Sequence, residues 1–179
     1  MLFVAAVATL ESAGMAPEEV ERIVNAYGTD LLRVAFMYLK DRHKAEDVCQ
    51  EVFIKYYRAL KAFDSKEHEK AWLLRVTINL CKDQLKSFWS KHMVMDDGTM
   101  NATVQSGDDV EKTIQNKELY ETVFALPEMF KTVIILYYYE GLNTQEIAHV
   151  IGAPDATVRS RLKRARERLG TLLQGGERS

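Results

Sequence analysis

The sequence predicts an all-α chain of two small helical domains joined by an acidic linker, the second domain containing a helix-turn-helix. Three observations predict it. With only 3 prolines and 9 glycines in 179 residues, long helices fit better than many short strands between tight turns. Apolar residues recur with helical spacing over residues 17–89 and again from about residue 110. Between these stretches, residues 91–118 hold three lysines against six Asp and Glu, and 91–107 lose the helical period. The expected organisation is an extension at 1–16, a domain at 17–90, a linker at 91–110, a second domain at 111–174 and a tail at 175–179.

The hydrophobic fraction of 47% is enough to pack cores, so wholesale disorder is not expected. The apolar run at residues 1–10 lacks the basic segment that opens a secretory signal and falls well short of the ~20 residues of a membrane span. Residues 1–16 therefore read as a loosely ordered extension, or as an upstream start ahead of Met15. With no other stretch able to span a bilayer, the chain is expected to be cytoplasmic, with no direct membrane insertion.

Helix ends follow from local chemistry. Pro17 with Glu18, Glu19 and Glu21 marks a start, since proline suits the first turn and acids suit the positive end of the dipole. Gly28-Thr29-Asp30 is expected to break or bend that helix before residues 31–40. Asp41 can cap the next helix, to about Phe63, and a third runs over 67–89 after the polar break Asp64-Ser65-Lys66. In the second half, one helix ends at Ala125. Pro127 opens another over 128–139, which Gly141 ends. A short helix over 144–151, capped by Asn143 or Thr144, closes at Gly152, and Pro154 starts a last helix that should stop before Gly175-Gly176.

A short helix, a glycine turn and a longer helix make a helix-turn-helix. Ile147, Ala148 and Ile151 are the expected buried face of the short helix. In the last helix Val158, Leu162, Ala165 and Leu169 fall within about 40° of one direction, an apolar stripe for the core. Residues 154–170 carry six basic and two acidic side chains, a local net of +4 in a chain of net −2. Clustered cations on an exposed helix neutralise phosphates, and arginine pairs with guanine edges in the major groove. A solvated, arginine-rich surface helix is the plain alternative, and the preceding Thr144-Gln145-Glu146-Ile147-Ala148 and glycine turn favour DNA. Glu167 lies amid the outward face, so base contacts are expected from the N-terminal half of the helix alone.

A second basic stripe lies in the first half. On the helix at 67–89, Arg75, Asn79, Lys82 and Lys86 fall within about 60° of one another, three cations and an amide with no acid among them. The remaining faces are largely apolar, which fits a helix that offers one edge to a nucleic-acid strand. The preceding helix has a wide apolar face and, opposite it, Asp47, Gln50 and Glu51 with Ile54 and Tyr57 set among them. Apolar side chains ringed by charge suggest a protein interface.

These residues carry a family resemblance. Ala45-Glu46-Asp47-Val48-Cys49-Gln50-Glu51-Val52-Phe53-Ile54 resembles the sigma-factor region that docks on core RNA polymerase. Trp72-Leu73-Leu74-Arg75-Val76-Thr77-Ile78-Asn79 resembles the adjoining region, which binds the melted −10 promoter element. Leu126-Pro127, then Gly141-Leu142-Asn143-Thr144-Gln145-Glu146-Ile147-Ala148, then Thr157-Val158-Arg159-Ser160-Arg161-Leu162 with Arg164-Ala165-Arg166 resemble the domain that reads the −35 element. The match spans about 17–173, and the lack of large intermediate domains is the pattern of the extracytoplasmic-function (ECF) group.

The resemblance implies roles by position. Asp47, Gln50, Glu51, Ile54 and Tyr57 would contact polymerase. Phe63, Asp64, Ser65 and Lys66 match the loop that captures a flipped −10 base, and Arg75, Asn79, Lys82 and Lys86 would bind the same strand. Thr157, Arg159, Ser160, Lys163 and Arg164 match the −35 reading face. An anti-sigma partner is implied as well. Cys49 stands where an aliphatic residue is commoner, and the charged run Lys66-Glu67-His68-Glu69-Lys70 leaves the base preference open.

Other classes find less support. A DNA-binding regulator that never joins polymerase gives no use to the Asp47–Tyr57 face. No nucleophile–base set, glycine-rich phosphate loop or cofactor motif points to an enzyme, and His43, His68, His92 and His149 lack metal-ligand spacing. A redox sensor would need Cys49 and Cys81 accessible, whereas each falls in an apolar helical pattern.

Overall fold

The computed structural model describes residues 16–59, 63–92 and 117–176, together with Ala8 and Gly14. All regular structure among them is helical. The expected extension and linker lie almost wholly outside the described residues, although Lys91 and His92 continue a helix. The chain divides into two compact units, residues 1–107 and 108–179.

The first unit packs three helices, α1 (Pro17–Leu39), α2 (Arg42–Ala59) and α3 (Lys66–His92), each against the other two. Pro17 occupies the first turn of α1. Of the break or bend expected at Gly28-Thr29-Asp30, the break does not occur: α1 is continuous. A glycine costs a helix only about 1 kcal/mol relative to alanine, and the buried Tyr27 and Leu31 on either side outweigh that. Asp30 is also held in place, bonded to Arg33 at 2.8 Å and to Lys70 of α3 at 2.9 Å. The helix ends at Lys40, where the sequence reading ended it, in a left-handed turn at φ 53°. Asp41 then caps α2, its carboxylate accepting from the Lys44 amide at 3.1 Å.

The described part of α2 ends at Ala59, and Phe63, about where the helix was expected to end, is not helical. Phe63 folds back against the helix it was expected to end, stacking on Tyr56 at 5.8 Å and tilting on Trp72 at 5.8 Å. Ser65 accepts from the His68 amide and opens α3. The core joins Ile23, Leu31 and Val34 of α1 to Val48, Val52 and Phe53 of α2 and Leu73, Leu74 and Ile78 of α3.

The second unit holds α4 (Lys117–Ala125), α5 (Glu128–Ile134), a π-helical turn (Ile135–Tyr139), α6 (Thr144–Ile151) and α7 (Asp155–Gly176). The expected continuous helix over 128–139 widens in its last turn, where the Glu140 amide reaches the Ile135 carbonyl at 3.2 Å. Asn143 caps α6 through a reciprocal box. Its Oδ1 accepts from the Gln145 and Glu146 amides, and Glu146 accepts from the Asn143 amide at 2.7 Å. Gly152, at φ 65°, makes the left-handed turn into α7. On α6 the buried residues are Ile147 and Val150, while Ala148 and Ile151 are only half-buried. The last helix runs through Gly175 and Gly176 instead of stopping before them, because glycine weakens a helix but, unlike proline, does not forbid it.

Candidate nucleic-acid interface

On α7 the buried stripe is Val158, Leu162 and Ala165, with Leu169 half-buried. That packing turns Arg159, Ser160, Lys163 and Arg164 to solvent and leaves Thr157 half-buried. Arg159 is not unattached. It forms an ion pair with Asp155 one turn back, a partner the sequence reading did not name. Ser160 donates to the Thr157 carbonyl at 2.9 Å. Arg164 faces elsewhere. It lies about 140° around the helix from Arg159 and lines a groove of about 560 Å³ with Leu126, Pro127, Phe130, Glu167 and Leu172. The expected reading set therefore splits, with Arg159 and Lys163 on one side and Arg164 on another.

On α3, Arg75, Asn79 and Lys86 are exposed and Lys82 is half-buried. The apolar sides of the helix pack inward through Leu73, Leu74, Ile78 and Cys81. The stripe thus faces outward along one edge, bordered by an acid at its far end, where Asp83 lies 3.9 Å from Lys86.

At the near end lies the turn of Phe63, Asp64, Ser65 and Lys66. Asp64 and Lys66 are exposed, while Phe63 and Ser65 are half-buried. Together with Glu19, Arg22, Tyr56 and Glu69, three of these four residues (Phe63, Ser65 and Lys66) line an open pocket of about 450 Å³.

Beneath this pocket sits a polar hub that the sequence reading missed. Glu69 is 5% exposed. Arg22 donates to both of its oxygens, at 2.7 and 3.0 Å, Tyr27 donates at 2.7 Å, and Tyr56 donates to Oε1. Arg22 also bonds Glu19 at 2.8 and 2.9 Å, so one guanidinium bridges two carboxylates. Burial alone would raise the Glu69 carboxyl, but the bonds from Arg22, Tyr56 and Tyr27 outweigh it and hold it down at about 2. Burial, reinforced by the bond to Glu69, pushes the Tyr27 hydroxyl up to about 12, and Tyr56 is raised for the same reasons. A signal was available in the sequence. Set by its angle on α3, Glu69 falls on the Leu73–Val76–Leu80 side, a carboxylate inside an apolar stripe. Tyr56 in turn stacks on Phe63, so the hub is linked to the turn above it.

On α2, Asp47 and Glu51 are exposed, and Gln50, Ile54 and Tyr57 are half-buried. Glu51 pairs with Lys55 at 3.3 Å. The Tyr57 hydroxyl lies against Gly14, where an added Cβ would stand 3.3 Å away. Cys49 and Cys81 are free and buried, and burial pushes the Cys49 thiol up to about 12 and raises Cys81 as well. Reactive thiolates are therefore scarce, which weighs against a redox sensor. Among the described residues, no cluster of acids, histidines and cysteines could hold a metal, and no helix is long and apolar enough to cross a membrane.

Comparison with known proteins matches both halves. Residues 23–90 fit the family description Sigma-70 region 2, and residues 117–169 fit Sigma-70, region 4. RNA polymerase sigma-H factor of Pseudomonas aeruginosa is 34% identical, the match covering 85% of this chain and 84% of that protein. ECF RNA polymerase sigma factor SigW of Bacillus subtilis is 31% identical over 85% of this chain and 87% of that one. Among solved structures, sigma factor RpoE from Bartonella quintana, in complex with the anti-sigma factor NepR, superposes with a TM-score of 0.68 at 22% identity, covering 88% of this chain and 98% of that one. CnrH, in complex with the cytosolic domain of CnrY, superposes with a TM-score of 0.66 at 22% identity, covering 97% and 96%. Two sigma regions matched in order, and relatives above 30% identity along most of their length, place the chain in the family of extracytoplasmic-function RNA polymerase sigma factors.

Proposed function

We propose that this ECF sigma factor recruits core RNA polymerase through Asp47, Gln50, Glu51, Ile54 and Tyr57 of α2 and specifies promoters with two separate surfaces. Arg159, Ser160 and Lys163 of α7, with Thr157 beside them, read the −35 duplex, and Arg164 contributes from the neighbouring face. The pocket of Phe63, Ser65 and Lys66, with Asp64 at its rim, holds an unstacked −10 base. Arg75, Asn79, Lys82 and Lys86 follow the same strand, cations on phosphates and the amide on a base edge. The observation that carries this reading is the outward turn of both basic surfaces in a chain whose net charge is −2.

Opening is thermodynamic. A base held outside the stack is stabilised on the protein, which biases melting without covalent chemistry, so the chain acts as a binding factor and not as an enzyme. It works in the cytoplasm, where polymerase and promoter are. An anti-sigma factor restrains it, a reading supported by the likeness to the sigma factor RpoE, solved in complex with the anti-sigma factor NepR.

Transcription with core polymerase from singly substituted promoters tests the assignment. Arg159→Ala should relax preference at one −35 position by about tenfold, and Asn79→Ala should do so at one −10 position. Unchanged base preference in both variants refutes the assigned roles, and failure of the chain to bind core polymerase refutes the recruitment step.

A further inference from the structure

Tyr138 is 56% exposed, unusual for an aromatic residue next to a packed core. It is not idle. The Arg166 Nε donates to its hydroxyl at 2.9 Å. The guanidinium carbon also lies 5.3 Å from the Tyr137 ring centre and 5.6 Å from that of Tyr138. The two rings meet edge to face at 5.0 Å. They belong to the π-helical turn Ile135–Tyr139, whose wider winding brings consecutive side chains nearer to one side. The result is an arginine seated on an aromatic bracket from another helix.

The bracket leaves a defined edge of the guanidinium unused. Nε is taken by Tyr138, and among the described residues no bond engages Nη1 or Nη2. Those two nitrogens form the outer fork that suits the paired oxygens of a phosphodiester. The position is also apt. At about 100° per residue, Arg166 lies about 20° from Arg159 around α7 and about 10 Å further along it, on the side that Lys163 shares. It lies beyond the N-terminal half of α7 to which the sequence restricts base contacts.

We infer that Arg166, aimed by Tyr138 and Tyr137, is a preorganised clamp for a DNA backbone phosphate flanking the −35 element. The inference rests on the reading of α7 as the −35-binding helix. The clamp fixes the depth and register of α7 in the groove and carries no base information. Its ordering is already met by the aromatic bracket, so little side-chain freedom is lost when the phosphate arrives.

The test uses the full chain assembled with core polymerase, bound to a short duplex that carries the −35 element, at salt from 50 to 200 mM. Each phosphate neutralised adds about 0.9 to the log–log salt slope. Arg166→Ala should lower the slope by about one and weaken binding about tenfold, with the ranking of −35 sequences unchanged. Arg166→Lys should keep the slope. Tyr138→Phe, which keeps the ring and loses the hydrogen bond, should weaken binding about twofold with the slope retained. A wild-type slope in Arg166→Ala, or an altered sequence ranking, overturns the clamp. Arg159→Ala, measured alongside, separates the two levels. If it changes base preference while Arg166→Ala leaves the slope intact, only the clamp falls. If it leaves base preference intact, the α7 reading falls and the clamp with it.

Discussion

Replacing Glu69 by glutamine keeps the size of the side chain and removes its charge. In the wild type that charge sits almost out of water, held by a two-pronged bond from Arg22 and by the hydroxyls of Tyr27 and Tyr56. The carboxyl titrates at about 2 in the folded unit against an ordinary value of 4.5. At about 1.4 kcal/mol per unit, the charged form contributes about 3 kcal/mol to stability at pH 7. The sign follows from the depressed value: the contribution is complete above about pH 4.5 and is lost as the pH falls towards 2. By pH 3 less than half of it should be left. Urea unfolding followed by tryptophan fluorescence reads the first unit, since Trp72 packs on Tyr56 and Phe63. Glu69→Gln should be about 3 kcal/mol less stable than the wild type at pH 7, and the gap should narrow by more than half at pH 3. Because Tyr56 also stacks on Phe63, the variant should lose −10 discrimination even where it is folded. Equal stability at neutral pH, or a gap that stays constant with pH, refutes the hub.

Three further outcomes are expected. Gly152→Ala should cost the second unit about 1 kcal/mol and lower its Tm by roughly 4–8 °C, purely through the left-handed backbone at φ 65°, since nothing lies within 4 Å of the added carbon; an unchanged Tm contradicts this. Asp155→Asn frees the exposed Arg159 and should raise affinity for random-sequence duplex about twofold; weaker non-specific binding, measured by titration, refutes that. Cys49 and Cys81 should not react with an aromatic disulfide at pH 8 until the first unit unfolds, because burial keeps both thiols protonated; rapid labelling of the folded chain contradicts it.

The helices were legible wherever short-range chemistry decides them. Pro17, Asp41, Asn143 and Gly152 act through their own φ or a bond to a neighbouring amide, and each sits where that chemistry puts it. The reading failed where distant residues decide. Gly28 does not break α1 because core packing around Tyr27 and Leu31 overrides its weak propensity. The packing of Phe63 on Tyr56 and Trp72 likewise depends on residues that only the fold brings near. The exposed stripes on α3 and α7 could be read from angle alone, since periodicity fixes which faces are apolar. The Glu69 hub could not be read completely, because Arg22 is 47 positions away in sequence and only the fold brings it near. The bond between Arg166 and Tyr138, 28 positions apart, escaped for the same reason.

Net charge misleads for such a chain, and the reason is screening. At physiological salt the Debye length is about 8 Å, so an acid elsewhere on the molecule barely reduces the potential at an exposed arginine. What a phosphate meets is the local set of charges. On α7 the two acids near the basic face differ in effect: Asp155 is tied to Arg159, while Glu167 stands exposed between the side of Arg159 and that of Arg164. On the role proposed for Arg159, the first holds that arginine back from phosphates in general and yields it only where a base edge offers a better partner. An acid one turn from a reading arginine therefore exchanges affinity for discrimination, a role that a count of charges along the chain cannot reveal.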